Sequence, residues 1–373
     1  MLYIHIPFCK SRCIYCNFFS TTLLDRRKEY VDALIMQLPD KKYGTIYLGG
    51  GTPSMLALED LRRLLSECGK RLRDGGEFTM ECNPDNVTEA LAETLHTCGV
   101  NRVSLGIQTF SDERLRLINR RHSAEKAREA VGILRAHNIN NVSIDLMFGF
   151  PGETLDDWKY DIREAIKLQP NHISAYCLTI EEDTALDRLL SSGKIAPIPS
   201  EEMLEEQYYT LCSMLKTDGY EHYEISNFAL PGYHSRHNSG YWQDKSYDAL
   251  GAGAHGYDKE RRKRYWNIDD VEDYIKRAKD GESVVCETET IDDITHYNDL
   301  ITTALRTSRG LSSDYVKCNC TPPLYDYFMQ TSCQLSERGL VEIFHDSGER
   351  RVMLSPSKLF VSDDILSELV YVE

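Results

Sequence analysis

Tyr3-Ile4-His5-Ile6-Pro7-Phe8-Cys9-Lys10-Ser11-Arg12-Cys13-Ile14-Tyr15-Cys16 joins an apolar strand to a loop that carries three closely spaced cysteines. Leu2–Ile6 has the apolar, β-rich character of a strand, and five further runs share it: Thr45–Leu48, Phe78–Cys82, Val103–Ile107, Val142–Phe148 and Ile173–Thr179. Between them, Tyr30–Leu38, Leu58–Leu72, Glu89–Cys98, Ala124–His137 and Leu155–Leu168 repeat apolar residues every three or four positions, as helices do. Strands alternating with helices pair in parallel and are covered by those helices, so an α/β fold is predicted. Ligands of such sheets gather at the C-terminal ends of the strands. Ser143-Ile144-Asp145-Leu146-Met147 sets a polar residue inside an apolar run, as a strand that supplies a pocket would. Thr154 with Asp157 reads as a capping box that opens a helix after Pro151-Gly152.

The 373 residues include 43 Lys or Arg and 59 Asp or Glu, a net charge of −16, with 41% hydrophobic residues. This is a soluble globular composition, and its acidity argues against a dedicated nucleic-acid binder. The longest apolar stretches are too short to cross a bilayer, and the first residues lack the basic segment and apolar run of a signal peptide. A cytoplasmic location is expected. In a reducing compartment the twelve cysteines do not form a disulfide framework, and the N-terminal three point to metal.

Three units are expected: 1–200 with the strand–helix repeats, 201–284, and 285–373. In the second, Pro231–Gly256 is Gly- and aromatic-rich and reads as functional loop. In the third, helices at Ile291–Thr307, Leu311–Val316 and Pro323–Glu337 precede a hairpin, Val341–Phe344 with Arg351–Leu354. That pattern resembles a winged helix, an α+β unit, but its 7 basic and 15 acidic residues argue against DNA.

Cys9, Cys13 and Cys16 follow the first strand with the spacing C-x3-C-x2-C, among Phe8, Tyr15, Phe18 and Phe19. Three thiolates in one loop can hold one cluster and leave one position open. A closed zinc site needs four ligands; His5 would be the fourth, although it lies on the strand. Unligated thiols packed among aromatics are the third alternative.

Residues 3–9 together with this spacing resemble the radical SAM superfamily, specifically its HemN/HemW branch. The resemblance implies a partial (β/α)6 barrel in which Cys9, Cys13 and Cys16 hold a [4Fe-4S] cluster. The fourth iron is chelated by the amino and carboxylate groups of S-adenosylmethionine. An electron from the reduced cluster then breaks a carbon–sulfur bond and releases a 5′-deoxyadenosyl radical.

Leu48-Gly49-Gly50-Gly51-Thr52-Pro53 follows the second strand and on its own is equally a Gly-rich turn. In the family, this GGGTP meets the amino group of S-adenosylmethionine. Glu81, Gln108 and Asp145 lie at or near strand ends and Arg120 lies beyond the fourth strand, so all are expected around one cavity. Singly, the carboxylates could equally cap helices or pair with Arg120. The resemblance places Tyr3, Tyr15, Gly50 and Glu81 at a first S-adenosylmethionine, and Gly51, Thr52, Gln108, Arg120 and Asp145 chiefly around a second.

His237-Asn238-Ser239-Gly240-Tyr241-Trp242 fits HNxxYW, which marks the heme chaperones of the branch, as does the neighbouring Tyr223–Ala229 segment. A histidine beside two flat aromatics offers a nitrogen to heme iron and a surface to the macrocycle. His237 is the candidate axial ligand, with His234 and His255 as alternatives and a hydrogen-bonded structural histidine as the bland one. The basic run Lys259–Arg264 reads as a solvated face, with heme propionates or an anionic membrane surface as the other takers.

The competing activity in the branch is the oxygen-independent coproporphyrinogen III dehydrogenase. That pattern has a fourth cysteine where Phe18 stands here, and an N-terminal extension before the first strand; both departures weigh against it. A non-catalytic iron–sulfur interaction protein ranks third. The expected function is a heme chaperone that delivers heme to acceptor hemoproteins such as respiratory-chain cytochromes. Nucleic acid is not an expected partner; peripheral membrane contact and a homodimer stay open.

Overall fold

The computed structural model describes residues 1–182 and 184–372. The strand–helix repeats run β1 (Leu2–Ile6), α1 (Arg27–Gln37), β2 (Tyr43–Gly50), α2 (Leu58–Gly69), β3 (Leu72–Cys82), α3 (Glu89–Thr97), β4 (Arg102–Gln108), α4 (Asp112–Leu117), α5 (Ala124–Ala136), β5 (Asn141–Phe148), α6 (Leu155–Lys167) and β6 (His172–Cys177). Then follow α7 (Ala185–Ser191), α8 (Glu201–Thr217), β7 (Glu221–Glu224), β8 (Asn227–Ala229), α9 (Arg236–Tyr241), β9 (Asp248–Leu250), β10 (His255–Asp258), β11 (Lys263–Asn267), α10 (Val271–Asp280) and β12 (Val285–Thr290). The chain closes with α11 (Asp293–Ala304), β13 (Leu311–Ser312), α12 (Ser313–Asn319), α13 (Pro322–Glu337), β14 (Val341–Asp346), β15 (Glu349–Leu354) and α14 (Ser362–Leu369).

All six expected strands form, and they pair in parallel in the order β6-β5-β4-β3-β2-β1. β9 extends this sheet in parallel beside β1, and β8 and β7 close the other edge antiparallel. The partial barrel is therefore an open nine-stranded sheet. The α6 capping box forms as read: the Thr154 hydroxyl accepts from the Asp157 N–H, and Asp157 accepts from the Thr154 N–H at 3.0 Å.

Alternation within the strands decides which face does what. Ile4, Ile46, Leu48, Phe78, Met80, Val103, Leu105, Val142, Ile144 and Ile173 point outward to the helices and are fully buried in one core. The intervening residues point inward and are polar. Register lines up Tyr3, Tyr47, Thr79 and Arg102, then Glu81, Ser104, Ser143 and His172, then Gly106, Asp145 and Ser174. The inside of this barrel is thus a polar lumen, and the apolar stabilisation comes from its outer face.

Three readings are corrected. The helix read through Leu72 ends at Gly69, because Leu72 pairs with Tyr43 and opens β3. Pro231–Gly256 is not loop throughout: it holds α9, β9 and the start of β10. α9 is capped twice at its start: the Ser235 hydroxyl accepts from the Asn238 N–H at 3.3 Å, and the Glu77 carboxylate, on β3, accepts the N–H groups of Arg236 and His237, each at 2.9 Å. Leu311 and Ser312 form the short strand β13 rather than a helical turn.

β10, β11 and β12 make a separate antiparallel sheet, so the segment from Val285 opens with a strand shared with the middle of the chain. Beyond it, α11 to α14 and the β13-β15-β14 sheet bury a second core around Tyr297, Ile301, Phe328 and Val352. That helix-and-hairpin arrangement matches the winged-helix-like expectation.

Candidate functional site

The cysteine loop is fastened at both ends. The Cys9 N–H donates to Thr21 O at 2.9 Å, the Thr21 N–H to Pro7 O at 2.7 Å, and the Cys16 N–H to Cys13 O at 3.2 Å. Ile14 and Tyr15 pack on the small apolar cluster of Ile118, Met147 and Phe150, which holds the loop over the barrel mouth. The three thiols are half-buried, and burial raises the pKa of Cys9 and Cys16. Cys9 Sγ lies 3.7 Å from Thr52 Oγ1, and the Arg120 guanidinium lies 4.0 Å from Cys13 Sγ.

The glycine run lies directly beneath. Gly50 has φ +106°, and a Cβ there would fall 2.3 Å from the His5 ring. At Gly51 a Cβ would fall 2.7 Å from the Pro7 carbonyl carbon. Only glycine lets the β2 end pass this close to β1. The Gly50 N–H and the Tyr47 hydroxyl donate to Glu81 at 3.1 and 2.7 Å. Burial lifts Glu81 to about 7 despite these two donors. Asp145 is also raised by burial, and Ser104 donates to it at 3.1 Å.

Arg120 reaches in from beyond β4. It donates to Gly106 O at 2.7 Å and to Asn83 Oδ1 at 2.9 Å, while its buried Nε has no partner among the described residues. Gln108 is buried at the end of β4 with φ +70°. Tyr3 is tied by its hydroxyl to His5 Nδ1 at 3.0 Å. Contacts thus tie Cys9 to Thr52, Cys13 to Arg120 and Gly50 to Glu81, while Tyr3 lines the neighbouring aromatic cavity. Asn83 is a further member that sequence reasoning passed over; it also donates to Thr52 Oγ1 at 3.2 Å. Its signal was its place, two residues after Glu81 at the end of β3.

The donor set suits a cluster better than a lone ion. Among the described residues no three His, Cys, Asp or Glu side chains converge on one ion site. His5, the fourth zinc donor considered, spends both ring nitrogens on the Tyr3 hydroxyl and on Phe19 O. A four-iron cluster takes one thiolate per iron, so its sulfurs stand apart. Burial raises the pKa of both inward-facing carboxylates, Glu81 and Asp145, and a cationic ligand would favour their charged form.

His237 sits elsewhere than expected. It is 1% exposed in the barrel floor. Nδ1 pairs with Thr45 Oγ1 and Nε2 with the Tyr241 hydroxyl, both at 2.9 Å. Burial, then the chain's N-terminal charge and Arg102, push its pKa down to about 3. Beside it the Tyr223 hydroxyl joins His172, which bonds Ser143 in turn. His234 pairs with Glu221 on the surface.

The other half of HNxxYW faces open space. Tyr241 and Trp242 line a cavity of about 460 Å3 next to the cysteine loop, walled further by Tyr3, His5, Phe18, Phe19, Tyr247, His255 and Tyr257. This lies within the roughly 300–1,000 Å3 of ordinary ligand sites. Phe18, standing where a fourth cysteine was weighed, is 71% exposed at its rim. The basic run is largely committed: Lys259 pairs with Asp244, Arg262 with Asp293, and Arg264 with Glu289 and Asp299.

Residues 3–165 match the family model of the radical SAM superfamily. The chain is 34% identical over 352 residues to the heme chaperone HemW of Bacillus subtilis, covering 91% of this chain and 92% of that one. The chain belongs to the HemW family of radical SAM proteins. The family's Lactococcus lactis member is 36% identical over 282 residues, 74% of each chain. The fold of coproporphyrinogen III oxidase (HemN) from Escherichia coli, described as a radical SAM enzyme, matches with a TM-score of 0.82 over 99% of this chain and 89% of that one, at 18% identity. Membership of this superfamily implies a [4Fe-4S] cluster and S-adenosylmethionine. No helix among the described residues is long and apolar enough to cross a membrane.

Proposed function

We propose that this HemW-family protein is a heme chaperone: it binds heme in the aromatic cavity beside the cysteine loop and passes it to acceptor hemoproteins, such as respiratory-chain cytochromes, in the cytoplasm. Cys9, Cys13 and Cys16 hold the cluster. Tyr3, Tyr15, Gly50 and Glu81 seat one S-adenosylmethionine, and Gly51, Thr52, Gln108, Arg120 and Asp145 surround a second. When bound, the cluster with its ligand supplies one-electron chemistry. The residues themselves orient and desolvate: Glu81 and Asp145 attract cationic groups, and Arg120 fixes the β4 end against the Cys13 thiol.

The observation that carries this reading is the shared wall. Phe18 and Phe19 belong to the cysteine loop and also line the cavity that Tyr241 and Trp242 of HNxxYW face. Flat apolar walls suit a macrocycle, and the adjoining thiol loop puts it next to the cluster position.

Anaerobic protein with its cluster restored, assayed in parallel for heme retention and transfer, S-adenosylmethionine cleavage and vinyl formation from coproporphyrinogen III, tests it. Heme held and released to an apo-hemoprotein, with no vinyl product, is expected. Vinyl product would restore the dehydrogenase reading, and neither heme nor S-adenosylmethionine binding would leave the interaction-protein reading. Cys13→Ala is expected to abolish cluster absorbance, since two thiolates do not hold four irons, while leaving the unloaded fold intact. Unchanged iron content would sink the ligand assignment.

A further inference from the structure

One inward position up from Thr45, which holds the His237 ring, the barrel lumen carries a charge that no side chain balances directly. Arg102, the first residue of β4, is 1% exposed and points inward, level with Thr79 of β3 and Asn141 of β5. Among the described residues nothing accepts a hydrogen bond from its guanidinium, and its Nε is buried. The Thr79 hydroxyl beside it is fully buried and equally without a partner. Asn141 Oδ1 is in the same state, and a half-turn of its amide presents the NH2 group instead.

Three carboxylates face the same lumen, and each is committed elsewhere. Glu77 accepts the two N–H groups at the start of α9, Glu81 accepts from Tyr47 and Gly50, and Asp145 accepts from Ser104. Among the described residues none forms an ion pair with Arg102. Its charge reaches Glu81 and Asp145 through space only, where it opposes the burial that keeps them protonated. Burial holds His172 and His237, the histidines within the same field, neutral. A guanidinium has five donors, no acceptor and a proton it does not lose, so its buried partner must accept. The neighbouring hydroxyl also has a hydrogen to give. Water would accept from both but bring no charge, whereas a small anion supplies both the acceptor and the balancing charge.

We propose that the barrel lumen binds a small monovalent anion, a halide or an oxyanion of similar size, between Arg102 and Thr79, and that this anion leaves when a cationic ligand enters the mouth. The exchange follows from charge balance: a cation at the mouth favours the ionised forms of Glu81 and Asp145, and their charge then takes the place of the anion opposite Arg102. The site stands without the heme reading. The exchange uses only the S-adenosylmethionine that membership of the superfamily implies.

Full-length, anaerobic protein with its cluster restored is titrated with bromide at constant ionic strength, with gluconate, a bulky anion, as the balance. Thermal unfolding and, in crystals, the anomalous scattering of bromide are the readouts. Bromide is expected to raise Tm saturably, by about 1–2 °C at ten times its Kd, and to appear beside Arg102 and Thr79. Thr79→Val keeps the shape and removes one donor, so the bromide Kd should rise about tenfold. Arg102→Met should lose the bromide response altogether. Bromide at ten times its Kd should weaken S-adenosylmethionine binding about threefold in equilibrium dialysis, and should have no such effect on Arg102→Met. A Tm that follows bromide and gluconate alike, ordered water instead of bromide at Arg102, or a folded Arg102→Met that keeps the response overturns the site. Bromide bound in the lumen with S-adenosylmethionine affinity indifferent to it overturns the exchange. Should Arg102→Met not fold, the wild-type density and Thr79→Val decide.

Discussion

At the floor of the barrel, His237 is bonded to Thr45 and Tyr241 through its ring and to Glu77 through its backbone, and His172 links Ser143 to Tyr223. At the mouth, a few residues further along the same strands, Glu81 accepts from two neutral donors, Arg120 has a buried Nε without a partner among the described residues, and the thiols are half-buried. Both ends are polar. The floor histidines have both ring nitrogens bonded, whereas the mouth carboxylate keeps capacity for a ligand, and their ionisation records the difference. Burial holds the floor histidine neutral, down at about 3, whereas it holds the mouth carboxylate up at about 7. Substitutions at the floor should therefore cost stability, and substitutions at the mouth should cost binding.

The largest expected effect is at the floor. His237→Ala removes a fully packed ring and strands the Thr45 and Tyr241 hydroxyls, at about 3 kcal/mol. Urea unfolding of the unloaded protein should show a lower midpoint with an unchanged slope. A midpoint equal to wild type would break the comparison, because the floor would then not be structural.

The next effect has the opposite character. A carboxyl raised to about 7 in the folded protein, against 4.5 in the unfolded chain, binds its proton more tightly when folded. Its contribution is harmless below pH 4.5 and lowers the stability of the unloaded protein as pH rises to 7, by roughly 3 kcal/mol. His237 works the other way: stability is full above pH 6.5 and is lost as pH falls toward 3. Glu81→Gln should flatten the decline between pH 4.5 and 7 and stabilise the unloaded protein at pH 7. A parallel pH profile in wild type and variant would show that the mouth carboxylate is already satisfied.

Much of this was legible in the residues. The six strands could be read from apolar runs, and the cysteine loop and glycine run from spacing, because both signals are local. The alternation of Glu77-Phe78-Thr79-Met80-Glu81 and Arg102-Val103-Ser104-Leu105 carries a further cue, an inward polar face, which a reading of these stretches as apolar runs passes over, since strands of an ordinary parallel sheet are apolar on both faces. The placement of His237 was not legible. α9 is six residues long and its local signal is a Ser235 N-cap, but what buries His237 is also a carboxylate some 160 positions earlier in the chain, which no window around HNxxYW contains. The same holds for β9, which joins the sheet only because β1 offers it an edge.

The smallest expected effect lies between the two ends. Asp244 follows Trp242 out of the floor and lines the cavity. Its carboxylate accepts from the hydroxyls of Tyr257 and Tyr315 at 2.8 and 2.7 Å, from His296 at 3.1 Å, and pairs with Lys259 at 3.2 Å. Burial alone would raise its pKa; these donors outweigh burial and bring it to about 2. Unlike Glu81, it is a buried carboxylate with a full set of partners, and it clasps β10 to α11 and α12. A depressed carboxylate contributes stability that is complete above the unfolded value of 3.8 and is lost as pH falls through 2, about 2 kcal/mol in all. Asp244→Asn puts an amide donor where Tyr315, His296 and Lys259 need an acceptor. It should cost up to that amount at neutral pH and blunt the acid limb below pH 4. Hydrogen exchange should quicken in α11 and α12 while β3 and α9 stay protected. Exchange that quickens equally in the floor would mean that clasp and floor are one cooperative unit, and the contrast between a closed floor and an adaptable mouth would have to be redrawn around Asp244.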